Sequence, residues 1–177
     1  MLLYIGLTFS AIVAFVLLYA LIAKKEYSII SEIIIDKNND IVFNYVKHLK
    51  NQIYYNKWVM ADPNIKMTYT GTDGNVGFMS AWESTLRDVG IGEQEIIKII
   101  EGKGYEAELR FEKPFKGTSH VNIMIYSITD NQSKMITTLN TRTDFPMNIM
   151  IPLIRKMLQK DMNQNAANLK HILETNI

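Results

Sequence analysis

The side chains able to do chemistry are few and scattered along the chain. There is no cysteine, which removes disulfides, thiolate metal sites and cysteine nucleophiles. The three histidines, His48, His120 and His171, fall on three different predicted elements with no i,i+4 partner and no carboxylate at ligand spacing, so no metal site is expected. Serine, histidine and aspartate are present without the Gly-x-Ser-x-Gly elbow that would raise a nucleophile above a sheet. Gly90-Ile91-Gly92 and Gly102-Lys103-Gly104 lack the strand-to-helix context of a phosphate loop and read as hairpin turns. Glu83 follows Trp82 and by alternation points outward, while Asp144, beside Arg142 and a helix start, reads as a cap. No catalytic set and no cofactor site emerges. What remains are neutral hydroxyls on apolar faces: Ser80, Thr137 and Thr141 either satisfy a nearby backbone carbonyl or water, or bind a ligand head group.

The elements that carry these residues are mostly strands. Tyr27 to Ile35 reads as a first strand, ending in the turn cluster Asp36 to Asp40. Asp40 is placed to cap a short helix with Ile41, Val42, Tyr45, Val46 and Leu49 on one face, and a second helical turn covers Ile53 to Trp58, ending before Asp62-Pro63. From Lys66 the period switches to 2. Strands are predicted over Lys66–Thr70, Phe78–Ser84, Gly92–Glu101, Tyr105–Glu112, Thr118–Thr129 and Lys134–Thr143, and their short turns imply an antiparallel meander. Along the fourth of these, Tyr105, Ala107, Leu109 and Phe111 point one way and Glu106, Glu108, Arg110 and Glu112 the other, giving one buried and one wet face. A long helix from about Pro146 to Thr175 closes the chain with an apolar stripe that includes Met150, Leu153, Ile154 and Met157. Pro152 either kinks its first turns or marks its true beginning.

The 177 residues carry 19 Lys+Arg against 18 Asp+Glu, a net charge of +1, which leaves no basic field for a nucleic-acid backbone. The charges are unevenly distributed. A 22-residue run from Leu2 to Ala23 has none, and as a helix it is about 33 Å long, matching a hydrocarbon core of about 30 Å. It lacks the basic n-region and small-x-small site of a cleaved signal, so a retained anchor is expected over residues 1–23. Lys24 and Lys25 follow it directly and nothing basic precedes it. The expected arrangement is a single-pass membrane protein whose soluble domain, residues 24–177, lies on the cytoplasmic side. No Pro/Gly/Ser linker separates the two.

The order strand, two short helices, six strands, long helix, with particular residues at particular places, resembles a known family. Those residues are Tyr55-x-x-Trp58 before Asp62-Pro63, Gly74-x-x-Gly77 leading to Trp82-Glu83, Gly90-x-Gly92, Phe111 to Gly117, Asp144-Phe145-Pro146-Met147, and Ala167-Asn168-Leu169-Lys170. Over residues 26–174 the sequence resembles the polyketide cyclase/dehydrase and lipid-transport group of the START-like (SRPBCC), birch-pollen-allergen superfamily. The resemblance implies an α+β helix-grip fold: a curved seven-stranded antiparallel sheet wrapped around a long C-terminal helix, here preceded by one transmembrane helix. It also implies an apolar cavity between sheet and helix, but no particular reaction, because such folds host carriers, sensors, cyclases and regulators alike.

On that reading the cavity wall takes Trp58, Tyr69, Trp82, Tyr105, Leu109, Phe111, Leu139, Met150, Ile154 and Met157, joined by the hydroxyls of Ser80 and Thr137. Each of these alone is ordinary core. Together they mix aromatic rings that have polar tips with methionines that adapt to irregular shapes. The expected function is a membrane-tethered, non-catalytic binding module for a hydrophobic or amphipathic small molecule, such as a lipid or an aromatic, polyketide-like compound. The alternatives are a cyclase-like or hydrolytic enzyme using Ser80, Arg142 or a buried Tyr, and an interaction module with a filled cavity.

Overall fold

A computed structural model describes residues 1–176. The period-2 stretches become seven strands: β1 (Glu26–Ile35), β2 (Lys66–Thr70), β3 (Met79–Glu83), β4 (Ile91–Ile100), β5 (Gly104–Lys113), β6 (Gly117–Thr129) and β7 (Gln132–Arg142). They form one antiparallel sheet in the order β1-β7-β6-β5-β4-β3-β2. The meander expected from the short turns therefore runs from β2 to β7, and β1 closes the far side. Register places Tyr105, Ile123, Thr137 and Ser31 in one row across four strands, and Ala107, Val121, Leu139 and Ile29 in the next. These rows form the inner face. On the outer face Arg110 binds three carboxylates, Glu93 at 2.5 Å and Glu95 and Glu108 at 2.7 Å each.

Helix α1 (Leu2–Ile22) precedes the sheet, and three short helices, α2 (Asn39–Val46), α3 (Gln52–Tyr55) and α4 (Lys57–Ala61), connect β1 to β2. The cap of α2 is Asn38, whose side chain accepts from the Ile41 N–H at 2.9 Å. Asp40, expected as the cap, sits instead in the first turn, where its charge favours the helix dipole. Asn56 separates α3 from α4 and accepts from the Trp58 N–H at 3.0 Å. The closing helix is α5 (Ile151–Asn176), preceded by a 3-10 turn over Met147–Met150. Pro152 lies in the first turn of α5, where a missing N–H costs nothing, and so marks the true start of the helix.

The core gathers Phe43, Val46, Phe78, Ile96, Tyr105, Ile125, Leu169 and Leu173 between the sheet, α2 and the C-terminal half of α5. Hydrogen bonds fasten α5 on both flanks. Toward β1, Gln159 donates to the Ile30 carbonyl (2.8 Å), Ser31 to Asn163 (2.9 Å) and Lys170 to the Ile34 carbonyl (2.7 Å), which also occupies backbone groups of an edge strand. Toward the short helices, Asn165 accepts from the Lys57 N–H (2.7 Å), Asn168 donates to the Tyr55 carbonyl (3.1 Å), and Lys57 pairs with Asp161. The N-terminal helix is long and apolar enough over Tyr4–Ile22 to cross a membrane. Its side chains from Tyr4 to Ile22 are exposed except for Ala20, which is fully buried. Beside Ala20 the Asn148 amide donates to the carbonyls of Ala20 (2.7 Å) and Ala23 (3.2 Å).

Candidate functional site

Between the inner face of the sheet, α3, α4 and the middle of α5 lies a partly enclosed cavity of about 330 Å³. Of the residues expected in its wall, Trp58, Ser80, Trp82, Tyr105, Leu109, Phe111, Thr137 and Leu139 line it. Four others do not. Tyr69 is on the same face of β2 as Met67, which does line the cavity, but two residues further along; there it stacks on Phe78 (6.0 Å between centroids) with the Lys50 ammonium 5.3 Å from its ring. The wall contributed by α5 begins only at Leu158 and continues through Met162, Asn165, Ala166 and Leu169, which leaves Ile154 half-buried one turn before it; Met157 is exposed on the opposite face of the helix, and Met150 is exposed at the end of the preceding 3-10 turn.

Trp82 is positioned by three neighbours. Its indole N–H donates to the Val89 carbonyl at 3.2 Å, and its ring meets Phe111 edge-on at 5.8 Å. Its cross-strand partner is Gly92, where a Cβ would stand 2.6 Å from the indole and 2.7 Å from the Arg110 carbonyl. Only a residue without a side chain lets the ring lie over β4.

One part of the wall is polar, and the sequence reading missed most of it. Gln94 faces inward between Gly92 and Ile96 and accepts from the Gln52 amide at 3.0 Å; Asn56 donates to the Gln52 carbonyl at 3.2 Å, and Ser80 is the cross-strand partner of Gln94. The available signal was the alternation of β4, which puts Gln94 on the same face as two buried residues. Tyr105 completes the group. It is fully buried, and its hydroxyl has no hydrogen-bond partner among the described residues. Burial pushes its pKa well above the ordinary tyrosine value, while the adjacent Gln52 amide pulls weakly the other way without reaching hydrogen-bond geometry. The Tyr105 hydroxyl is thus a neutral donor, suited to hold an oxygen rather than to take a proton. The charged wall residues, Asp88 and Lys113, are exposed at the rim.

Other candidates are occupied elsewhere. The Thr141 hydroxyl pairs with Ser119 at 2.6 Å. Arg142 lies outside the cavity wall, bound to Asp144 at 2.8 Å and Glu26 at 3.3 Å, so Asp144 spends its carboxylate on Arg142 rather than on a helix cap. Among the described residues no three His, Asp or Glu side chains gather as a metal site would require.

No protein-family model matches the sequence, and no curated protein does. Solved structures do match the fold. Ara h 8.0201 superposes with a TM-score of 0.61 at 12% identity, over 85% of this chain and 99% of that one. Norcoclaurine synthase from Thalictrum flavum, in complex with dopamine and hydroxybenzaldehyde, gives 0.65 at 11% identity, over 88% and 91%. Aha1 from Colwellia psychrerythraea gives 0.59 at 14% identity, over 84% and 97%. At such identities the likeness lies in the path of the backbone, and that path is a helix-grip fold: a seven-stranded antiparallel sheet with a long C-terminal helix.

Proposed function

We propose that this chain is a membrane-tethered binding module for a neutral, largely apolar small molecule that carries a hydrogen-bonding oxygen. The observation that carries the reading is the cavity, an aromatic and aliphatic chamber with, in its wall, a buried Tyr105 hydroxyl that has no partner among the described residues. A buried donor left unpaired costs about 1–3 kcal/mol, which an acceptor on a ligand recovers. The amides of Gln52, Gln94 and Asn56 add neutral donors and acceptors beside it. Charge is confined to the rim at Asp88 and Lys113, so a carboxylate or phosphate placed deep in the cavity would lose its hydration without gaining a counter-ion. Small aromatic molecules suit such a wall, and the norcoclaurine synthase complex supports that class of ligand in this fold.

The tether is α1, with Lys24 and Lys25 assigning the domain to the cytoplasmic side by the positive-inside rule. A binder held at a bilayer meets a poorly soluble ligand at a raised effective concentration.

The test begins with purification of the full chain in mild detergent, mass spectrometry of what co-purifies, and titration with an uncharged solvatochromic dye followed by Trp fluorescence. Thr137→Trp is the companion variant, because its new ring projects into the cavity from the floor. The expected result is a co-purifying neutral compound, dye binding by the wild type, and loss of binding in Thr137→Trp with little change in stability. A wild type that binds nothing, with Thr137→Trp destabilised by about 1–3 kcal/mol as in an overpacked core, overturns the reading.

A further inference from the structure

We propose that the segment from Phe145 to Met157 lies in the headgroup layer of the bilayer that α1 enters, so that the domain rests on the membrane by a second, interfacial contact. The inference assumes the tether proposed above and adds to it a surface of the folded domain. Its starting point is the apolar stripe that does not line the cavity. Leu153 (53% exposed) and Met157 (58%) stand at i,i+4 on one face of α5, opposite the buried Met162 and Ala166, and the exposed Met150 precedes them at the end of the 3-10 turn. Phe145, Met147 and Ile149 extend the exposed apolar surface on the N-terminal side. Among the described residues, the hydrogen bonds and ion pairs that fasten α5 to the rest of the domain begin at Gln159, beyond this stretch.

Where this surface sits decides what covers it. Asn148, buried in the middle of the stretch, donates to the carbonyls of Ala20 and Ala23, the last turn of α1 and the residue after it. With α1 spanning a bilayer, its last turn is at the level where hydrocarbon gives way to headgroups, and the 3-10 turn over Met147–Met150 is held at that level. The charges agree. Lys24, Lys25, Lys156 and Lys160 make no ion pair among the described residues, and they flank the apolar stripe and the end of α1; Arg155, also without an ion pair there, is exposed on the other side of the helix. Nearby acids are engaged: Asp144 with Arg142, and Asp161 with Lys57. Apolar side chains bordered by unpaired cations are the composition of a helix that lies in an interface, where long basic side chains reach up to phosphates while their stems stay with the acyl chains.

The experiment uses the full chain in vesicles of phosphatidylcholine and phosphatidylglycerol. The absence of native cysteine makes single replacements clean reporters. Leu153→Cys and Met157→Cys, two independent exposed positions, are labelled with an environment-sensitive fluorophore, alongside Ala167→Cys on an exposed part of the same helix and Leu18→Cys in α1. Lipids carrying nitroxides at shallow or deep positions serve as quenchers. The expected result is blue-shifted emission at 153 and 157 with strong quenching by shallow nitroxides, an aqueous signal at 167, and quenching at 18 by deep nitroxides. If 153 and 157 behave like 167 while 18 is quenched, the interfacial contact is overturned and the tether stands. If 18 is unquenched, the tether reading fails and this inference falls with it. Excimer emission from pyrene at Leu153→Cys that persists on dilution with lipid assigns the face to a second copy and likewise overturns the proposal.

Discussion

Tyr105 is fully buried in the wall of the cavity, and its hydroxyl has no hydrogen-bond partner among the described residues. Replacing it by phenylalanine keeps the packing and removes a desolvated donor that has no partner among the described residues. Tyr105→Phe is therefore expected to leave folding stability unchanged or raise it by about 1 kcal/mol in chemical denaturation. Binding of the co-purified compound is expected to weaken roughly threefold to tenfold in the same variant, the worth of one net hydrogen bond. A clear loss of stability would mean that the hydroxyl has a partner inside the protein. The raised pKa makes a further point: the group stays protonated throughout the neutral range, so the affinity it contributes is flat with pH there.

Among the elements, α5 is the one whose attachment responds to acid. Burial alone would raise the pKa of Glu174, but the Asp36 N–H (2.7 Å) and the Lys170 ammonium (2.7 Å) outweigh it and hold the carboxyl below the ordinary glutamate range. A carboxyl with a depressed folded-state pKa contributes stability that is fully present above its unfolded value and is lost as pH falls through the lowered one. Glu174→Gln is thus expected to be less stable than the wild type near neutral pH, with the gap narrowing as the pH falls through and below the ordinary glutamate range, as read from urea midpoints along that series. Most of this architecture was legible in the sequence. Alternation placed Tyr105, Ala107, Leu109 and Phe111 inside and Glu106, Glu108 and Arg110 outside, as observed, because each strand has one wet face. Position along an element was not legible. The helical stripe puts Ile154 on the face of the later core residues Leu158 and Met162 without saying where the sheet beneath it stops, and it is broad enough to take in Met157, which lies on the opposite face; strand alternation likewise gives the face of Tyr69 but not its distance from the cavity. Gln52, Asn56 and Gln94 were passed over because long amides read as solvent-facing until their mutual hydrogen bonds are seen. The three-carboxylate grip on Arg110 sits between two register shifts of the β4–β5 pair, one with its extra residue in each strand, which no local pattern announces.

For the whole molecule, the orientation proposed for the chain across a membrane is the property most open to a direct test. Asn131→Cys, in the exposed turn between β6 and β7, is a suitable reporter. In intact cells an impermeant maleimide is expected to leave it unlabelled until the membrane is permeabilised; labelling of intact cells would reverse the orientation. Between the end of α1 at Ile22 and the start of β1 at Glu26 there are only three residues, at full stretch about 10 Å, and Asn148 pins the first of them to the folded domain. So short a leash sets the protein's range of operation. With α1 in a bilayer the domain cannot swing out to shuttle cargo across an aqueous gap to a second membrane; it patrols a plane, and whatever it takes up must be collected from, and handed to, something moving in that same plane or arriving at its surface.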